Sequence, residues 1–290
     1  VVRRLQAASA QSNYSASWDG RDAQRRPVPS GVYRYVLHAR GADGHEAVHD
    51  PSTESGGEEI EPRDFTYDAA TRTWRWVLPR AGWARLRIGI EGFPHLRTLL
   101  DWEPMEAGPH EVAWDGRDAS GLLQIDRHSN LTMKLKAFAM PQNTIIVSSE
   151  VPPASQPSQA PAYPPLASRQ GGAFHARHPR SVCREVRFRV EFPDAAPRDA
   201  QGRPVLSGTV PVRITLDERD AGYIVNQRYE VAFFEDLVEL FEEEESSNPL
   251  TYLWDTSHLT LGEHALTVNI LSYDDHFGVI TVPVIIAGAS

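Results

Sequence analysis

Trp18-Asp19-Gly20-Arg21-Asp22 returns residue for residue as Trp114-Asp115-Gly116-Arg117-Asp118, 96 positions later. An identity of five residues at that distance marks an internal repeat. The chemistry of the pentapeptide is that of a turn at a strand end. Trp supplies a large apolar anchor for a sandwich core. Gly20 and Gly116 can take positive φ, and the flanking Asp side chains can accept from nearby backbone N–H groups. The pentapeptide holds no nucleophile paired with a base. The fold it implies is all-β, in β-sandwich modules.

Working outward, the 290 residues have room for two or three domains. The chain is 41% hydrophobic, enough for real cores, and its 22 Pro and 20 Gly suit short strands joined by turns. The net charge of -10 argues against a nucleic-acid partner, which is met by a basic face. Lys134 and Lys136 are the only lysines, so 27 of the 29 basic residues are Arg, which reads mainly as a GC-rich genome, with some bias toward rigid ion pairing. The lone cysteine, Cys183, rules out an internal disulfide framework; it reads as a buried thiol, with an intermolecular bridge as the alternative. No apolar run is long enough for a membrane helix. The opening Val1-Val2-Arg3-Arg4 lacks Met, which fits a removed secretion signal and a secreted or cell-surface location.

Along the chain, residues 14–18 read as a strand leading into the first pentapeptide, and residues 32–37 alternate as another. Ala42-Asp43-Gly44 is a hairpin turn, with residues 46–49 returning. Residues 64–67 and 73–78 are extra strands beyond a polar loop. Residues 83–90, 96–102 and 107–114 follow as strands into the second pentapeptide. Residues 122–130 look like an irregular insertion, and 131–139 and 144–148 are strands again. Residues 151–182 carry Pro among Ala, Ser and Gln and read as an extended, polyproline-like linker. Beyond it, residues 184–190 alternate strictly, and Arg198 to Gly208 echoes Arg21 to Gly31. Residues 211–216, 229–234, 250–254, 265–271 and 279–286 are further strands. Residues 235–245 fit either a helix or a strand hairpin; Asn248-Pro249 as a following turn favours the hairpin.

Trp18 to Asp22, followed by Pro27-Val28-Pro29-Ser30-Gly31-Val32-Tyr33-Arg34-Tyr35-Val36-Leu37, resembles the second half of the immunoglobulin-like repeat of flagellar hook-capping proteins. The resemblance implies tandem immunoglobulin-like β-sandwich modules that assemble or bind. It divides the chain into a partial module at 1–50, a complete one at 51–150, the Pro-rich linker at 151–182 and a C-terminal sandwich at 183–290. The first module has no counterpart of the family's opening strands.

Three groups of polar residues are candidate sites. Asp19 with Asp22, Asp115 with Asp118, and Asp274 with Asp275 stand in loops and form a candidate Ca2+ set, since calcium takes several oxygen ligands from such loops; turn capping is the competing reading. Glu242, Glu243, Glu244 and Glu245 form an acidic run that is a solvated loop or a dock for a basic partner. His175, His178 and Cys183 carry three donors but lack the fourth of a structural zinc site. No catalytic motif is present in the sequence.

The leading expectation is a non-catalytic structural subunit of an extracellular bacterial assembly. It would form or sheath a filament by strand complementation through residues 14–49 and through its ordered linker. Its partners would be other copies of itself or a filament-forming protein such as a pilus-like or multihaem cytochrome fibre. The alternative is an accessory module for carbohydrate or a cell-surface ligand, stacking on Trp74, Trp76, Trp83 and Trp102.

Overall fold

In the computed structural model both pentapeptide glycines are left-handed, with φ of 69° at Gly20 and 83° at Gly116. The loops they open are closed by short antiparallel bridges, Arg21 with Pro27 and Arg117 with Gln124. Arg198 bridges Pro204 in the same way, so the echo seen in the third region is a third copy of one loop. The structure describes residues 1–6, 15–50, 58–92, 94–147, 185–192, 196–225, 228–272 and 276–288. Strands dominate, and the chain divides into two compact units, Val1–Glu58 with Met140–Arg177 and Glu59–Ala139 with His178–Ser290.

The first unit begins with β1 (Gly31–Arg34), β2 (Leu37–Arg40) and β3 (Glu46–His49). Residues 15–19 carry no strand, contrary to the sequence expectation. Their polar groups serve the turn instead: the Trp18 indole N–H donates to the Arg21 carbonyl at 2.8 Å. The single strand expected over 32–37 is broken between β1 and β2. Asn143 causes the break, donating from its side-chain amide to the Tyr35 carbonyl at 2.7 Å while the Tyr35 N–H donates to the Asn143 carbonyl. β2 and β3 pair as the expected hairpin, with Gly44 at φ 84° in the turn.

The middle region forms two antiparallel sheets. They are built from β4 (Glu59–Ile60), β5 (Arg63–Asp68), β6 (Thr73–Leu78), β7 (Gly82–Ile90), β8 (His95–Met105), β9 (Gly108–Ala113) and β10 (Leu131–Ala139). The sheet orders are β4-β10-β7-β8 and β5-β6-β9. Period-two alternation puts Trp74, Trp76 and Leu78 of β6 against Ala84, Leu86, Ile88 and Ile90 of β7, and Trp114 closes the same core. Residues 122–130 contain no strand, as expected of an insertion. The next strand, β11 (Thr144–Val147), expected to end this module, pairs antiparallel with β1 of the first unit.

The last region is a second pair of sheets. It comprises β12 (Phe188–Glu191), β13 (Val205–Leu206), β14 (Thr209–Leu216), α1 (Glu218–Ile224), β15 (Tyr229–Glu235), β16 (Val238–Glu243), β17 (Leu250–Asp255), β18 (Gly262–Ser272) and β19 (Phe277–Ile286). Sheets β12-β14-β17 and β13-β19-β18-β15-β16 enclose Val212, Ile214, Val231, Phe233, Trp254, Leu266 and Val268. The 235–245 ambiguity resolves as the hairpin β15–β16, with Asp236 and Leu237 both at positive φ as a tight two-residue turn requires. The seven-residue α1 has no counterpart in the sequence expectation; Asp217 caps it by accepting the Arg219 N–H.

Candidate functional site

The candidate calcium ligands sit in the repeated loops, where backbone donors occupy them. Asp22 Oδ1 accepts the N–H groups of Gln24 and Arg26, and its Oδ2 accepts the Arg26 side chain. Burial opposes ionisation of Asp22, but these donors prevail and hold its pKa below the usual carboxylate range. Asp199 repeats the arrangement with Gln201 and Arg203. Asp118 is fully buried and accepts from Ser120 and from the Leu123 N–H. Asp19 and Asp115 accept from the N–H two residues on and from Arg3 and Arg97 respectively. The three loop arginines Arg21, Arg117 and Arg198 each donate to the carbonyl four residues ahead, at 2.8, 2.9 and 2.7 Å. The arrangement is that of a capped turn. Among the described residues no three His, Cys, Asp or Glu side chains come together as a metal group. Asp274, Asp275, His175, His178, Cys183 and the linker 151–182 lie outside the described residues.

The aromatic platform proposed for carbohydrate is largely internal. Trp74, Trp76 and Trp102 are buried, and only Trp83 is half-exposed. Trp74 stacks under Tyr67 and Phe65 inside the middle module. Its face is therefore occupied by its own fold, and the period-two pairing of Trp74 with Trp76 marks core, not a binding surface.

Sequence reading missed the joint between the two sandwiches of the second unit. Along β7 Arg85 and Arg87 alternate with the core residues Leu86 and Ile88, and both are buried. The Arg85 guanidinium lies 4.6 Å from the Trp102 ring centre, and that of Arg87 lies 4.4 Å from Phe277 of the other sandwich. Phe277 also meets His95 edge-on at 4.9 Å. Asn269 on β18 clasps the His95 backbone, accepting its N–H at 2.8 Å and donating to its carbonyl at 2.9 Å. Burial, with Arg87, Lys134 and Arg85 nearby, pushes the His95 pKa down to about 4. Burial and the Glu185 charge push Asp101 up to about 6, against the pull of Arg87 and Arg85.

A second fixture serves the β15–β16 turn. The nitrogens of His264 face Asp236 Oδ2 at 2.6 Å and the Thr260 carbonyl at 2.8 Å. Both partners accept, so the contacts favour the cationic ring, which carries an N–H on each nitrogen. Burial opposes that charge, but Asp236 and Thr260 raise the His264 pKa. The turn's Leu237 packs against the core of the middle sandwich.

Open strand edges remain. In the first unit the only sheets among the described residues are the two-stranded ribbons β1–β11 and β2–β3. Every residue of β2 and β3 is exposed, including Leu37 at 55% and Val48 at 61%. In the second unit β16 ends its five-stranded sheet and presents Glu239 and Glu242 to solvent.

No protein-family model and no curated protein matches the chain. Among solved structures, a beta-glucuronidase from Faecalibacterium prausnitzii is 12% identical with a TM-score of 0.22; the alignment covers 90% of this chain and 38% of that one. A putative membrane anchored protein from Corynebacterium diphtheriae is 10% identical with a TM-score of 0.23, covering 89% and 58%. The chain thus spans less than two thirds of either protein, and likenesses this low carry no argument. Among the described residues no helix is long and apolar enough to cross a membrane.

Proposed function

We propose that this chain is a non-catalytic structural component of an extracellular bacterial assembly, built of immunoglobulin-like modules and joined to its neighbours by strand complementation through the first unit. The observation that carries the reading is the pair of two-stranded ribbons in that unit, with β2 and β3 exposed along their whole length. An isolated two-stranded ribbon is at best marginal in water, because it buries too little apolar surface to offset the entropy of ordering. A strand from a neighbour supplies backbone hydrogen bonds along the open edge and a cover for Leu37 and Val48. The partners are other copies of the chain or a filament-forming protein, such as a pilus-like or multihaem cytochrome fibre, that it sheathes. The second unit, two sandwiches locked by Arg87, Phe277 and Asn269, acts as the rigid body that the first unit attaches.

Deletion of residues 1–50 tests this. The truncated chain should melt cooperatively, showing an intact second unit, and should be missing from native filaments in electron micrographs. Its incorporation at the wild-type level would contradict the proposal.

A further inference from the structure

The turn between β15 and β16 is built against the preference of its own backbone. Asp236 and Leu237 both lie in the left-handed region, at φ 47° and 73°. Gly or Asn takes such a position with little strain, whereas the Cβ of Leu is crowded there. A glycine at 237 would relieve the strain, but it would also remove the side chain that packs on the core of the middle sandwich. Strain of this kind persists only where the surroundings impose it.

The surroundings here are a set of hydrogen bonds centred on Asp236. Its N–H donates to the Ala265 carbonyl at 3.0 Å, and its Oδ1 accepts the Ala265 N–H at 2.9 Å. Its Oδ2 meets one nitrogen of His264 at 2.6 Å, and the other nitrogen faces the Thr260 carbonyl at 2.8 Å. The His264 side chain is 9% exposed, so water has little room to replace either partner. The charged groups that act on the ring are acidic, Asp236 and Glu235. Glu235 in turn accepts the Trp254 indole N–H and meets His258, each at 2.9 Å. On β19 the residue opposite His264 is the apolar Val284, and Glu263, next to it in sequence, pairs with Arg203 at 2.6 Å. Further along β18, Asn269 clasps the His95 backbone. At the usual rise of a strand, Ala265 and Asn269 are about 13 Å apart, so turn and clasp are separate attachments to the middle sandwich.

We propose that the β15–β16 turn is a proton-operated latch between the two sandwiches of the second unit: the doubly protonated His264 ring holds the turn so that Leu237 stays seated on the middle core, and loss of one proton lets it go. The latch goes beyond the assembly reading and stands without it. A neutral ring has one N–H for two acceptors, so one nitrogen lone pair then faces an oxygen lone pair inside the fold. The strained turn relaxes, Leu237 withdraws, and the sandwiches pivot on the remaining Asn269–His95 clasp. Burial opposes the charge on His264, but Asp236 and Thr260 raise its pKa above the ordinary histidine value of 6.5. The latch is therefore closed below 6.5 and opens as pH rises through the raised value.

Nitroxide labels on the full chain test it, at Glu91→Cys in the middle sandwich and Leu253→Cys on β17, both exposed positions, with Cys183→Ser. Electron–electron resonance reads their separation at about pH 6 and about pH 9, on either side of the expected transition. The labelled chain should give one narrow distance at the lower pH and a distribution at least about twofold broader at the higher. His264→Gln, which has no proton to lose in this range, should abolish the pH response, and Leu237→Ala should be broad at both. Asp101→Asn should keep the response, which separates the latch from the titration of Asp101 at about 6. Circular dichroism melts confirm that each variant is folded. Ring signals of His264 in nuclear magnetic resonance give the reciprocal reading: Leu237→Ala should lower its pKa, because a loosened turn no longer presents Asp236 to the ring. An equal distribution at both pH values, a response that survives in His264→Gln, or a His264 pKa indifferent to Leu237→Ala overturns the inference.

Discussion

Two copies of one pentapeptide close their loops with the same hydrogen bonds and end in opposite environments. Trp18 and Trp114 each donate from the indole N–H to the carbonyl three residues ahead, at 2.8 and 2.9 Å. Trp114 is buried in the middle core; Trp18 is half-exposed and meets Tyr33 edge-on at 5.2 Å. A Cβ on Gly20 would meet nothing within 4 Å, whereas one on Gly116 would fall 2.8 Å from the Asp126 carboxylate carbon. The loop is thus a self-contained device, specified by its own residues. What differs is the number of sheet layers available to cover its tryptophan. The middle module supplies two, and the first unit supplies single ribbons.

The sharpest way to break this comparison is to remove the tryptophans separately. Trp114→Ala should destabilise the second unit by about 3–5 kcal/mol, the cost of deleting a large side chain from a closed core. Trp18→Ala should cost about 1 kcal/mol, its share of one aromatic contact and one hydrogen bond. Urea unfolding followed by near-ultraviolet circular dichroism measures both; equal losses would mean that the first loop is covered as well as the second.

Asp101 offers a test of smaller size at the joint of the two sandwiches. Its folded pKa of about 6 lies above the ordinary aspartate value of 3.8, so the folded state holds the proton more tightly than the unfolded chain. Stability from this group is therefore present at low pH and lost as pH rises from 3.8 through about 6. Asp101→Asn should raise the thermal midpoint at about pH 8 and leave it nearly unchanged at about pH 3. A variant that melts earlier at the higher pH would show Asp101 to be paired as an anion.

Arg25 sharpens the comparison within the loops. It holds the left-handed position, at φ 62°, that Gly121 and Gly202 hold in the other copies at 74° and 79°. Arg25→Gly should relieve about 1 kcal/mol of backbone strain in the first unit, read as slower amide exchange across β1. The smallest expected effect concerns calcium. Because backbone N–H groups already occupy the carboxylates of Asp22 and Asp118, calcium or a chelator should leave the melting curve unmoved.

Local features were legible in the sequence because local chemistry decides them. The alternation in Thr73–Leu78 and Leu131–Ala139 returns those bounds for β6 and β10, and the Asp43-Gly44 turn returns the β2–β3 hairpin. Partners were not legible. Nothing in Thr144–Val147 says that it pairs with β1 rather than with the strand before it. Arg85 and Arg87 sit at outward positions of β7, and only the arrival of Trp102 and Phe277 turns that face into an interior. Arg permits this because its guanidinium stacks on rings while its stem packs as hydrocarbon. The repeated carboxylates read from spacing alone as either turn caps or calcium ligands, because spacing does not reveal the backbone donors that Asp22 and Asp118 accept from.

Hydrogen–deuterium exchange, read strand by strand on the isolated chain and on assembled material, tests the central contrast most directly. The account predicts strong protection of β7, β14 and β18 in both samples, with β1, β2 and β3 exchanging rapidly in the isolated chain and becoming protected on assembly. Protection of β2 and β3 in the isolated chain equal to that of β7 would contradict it.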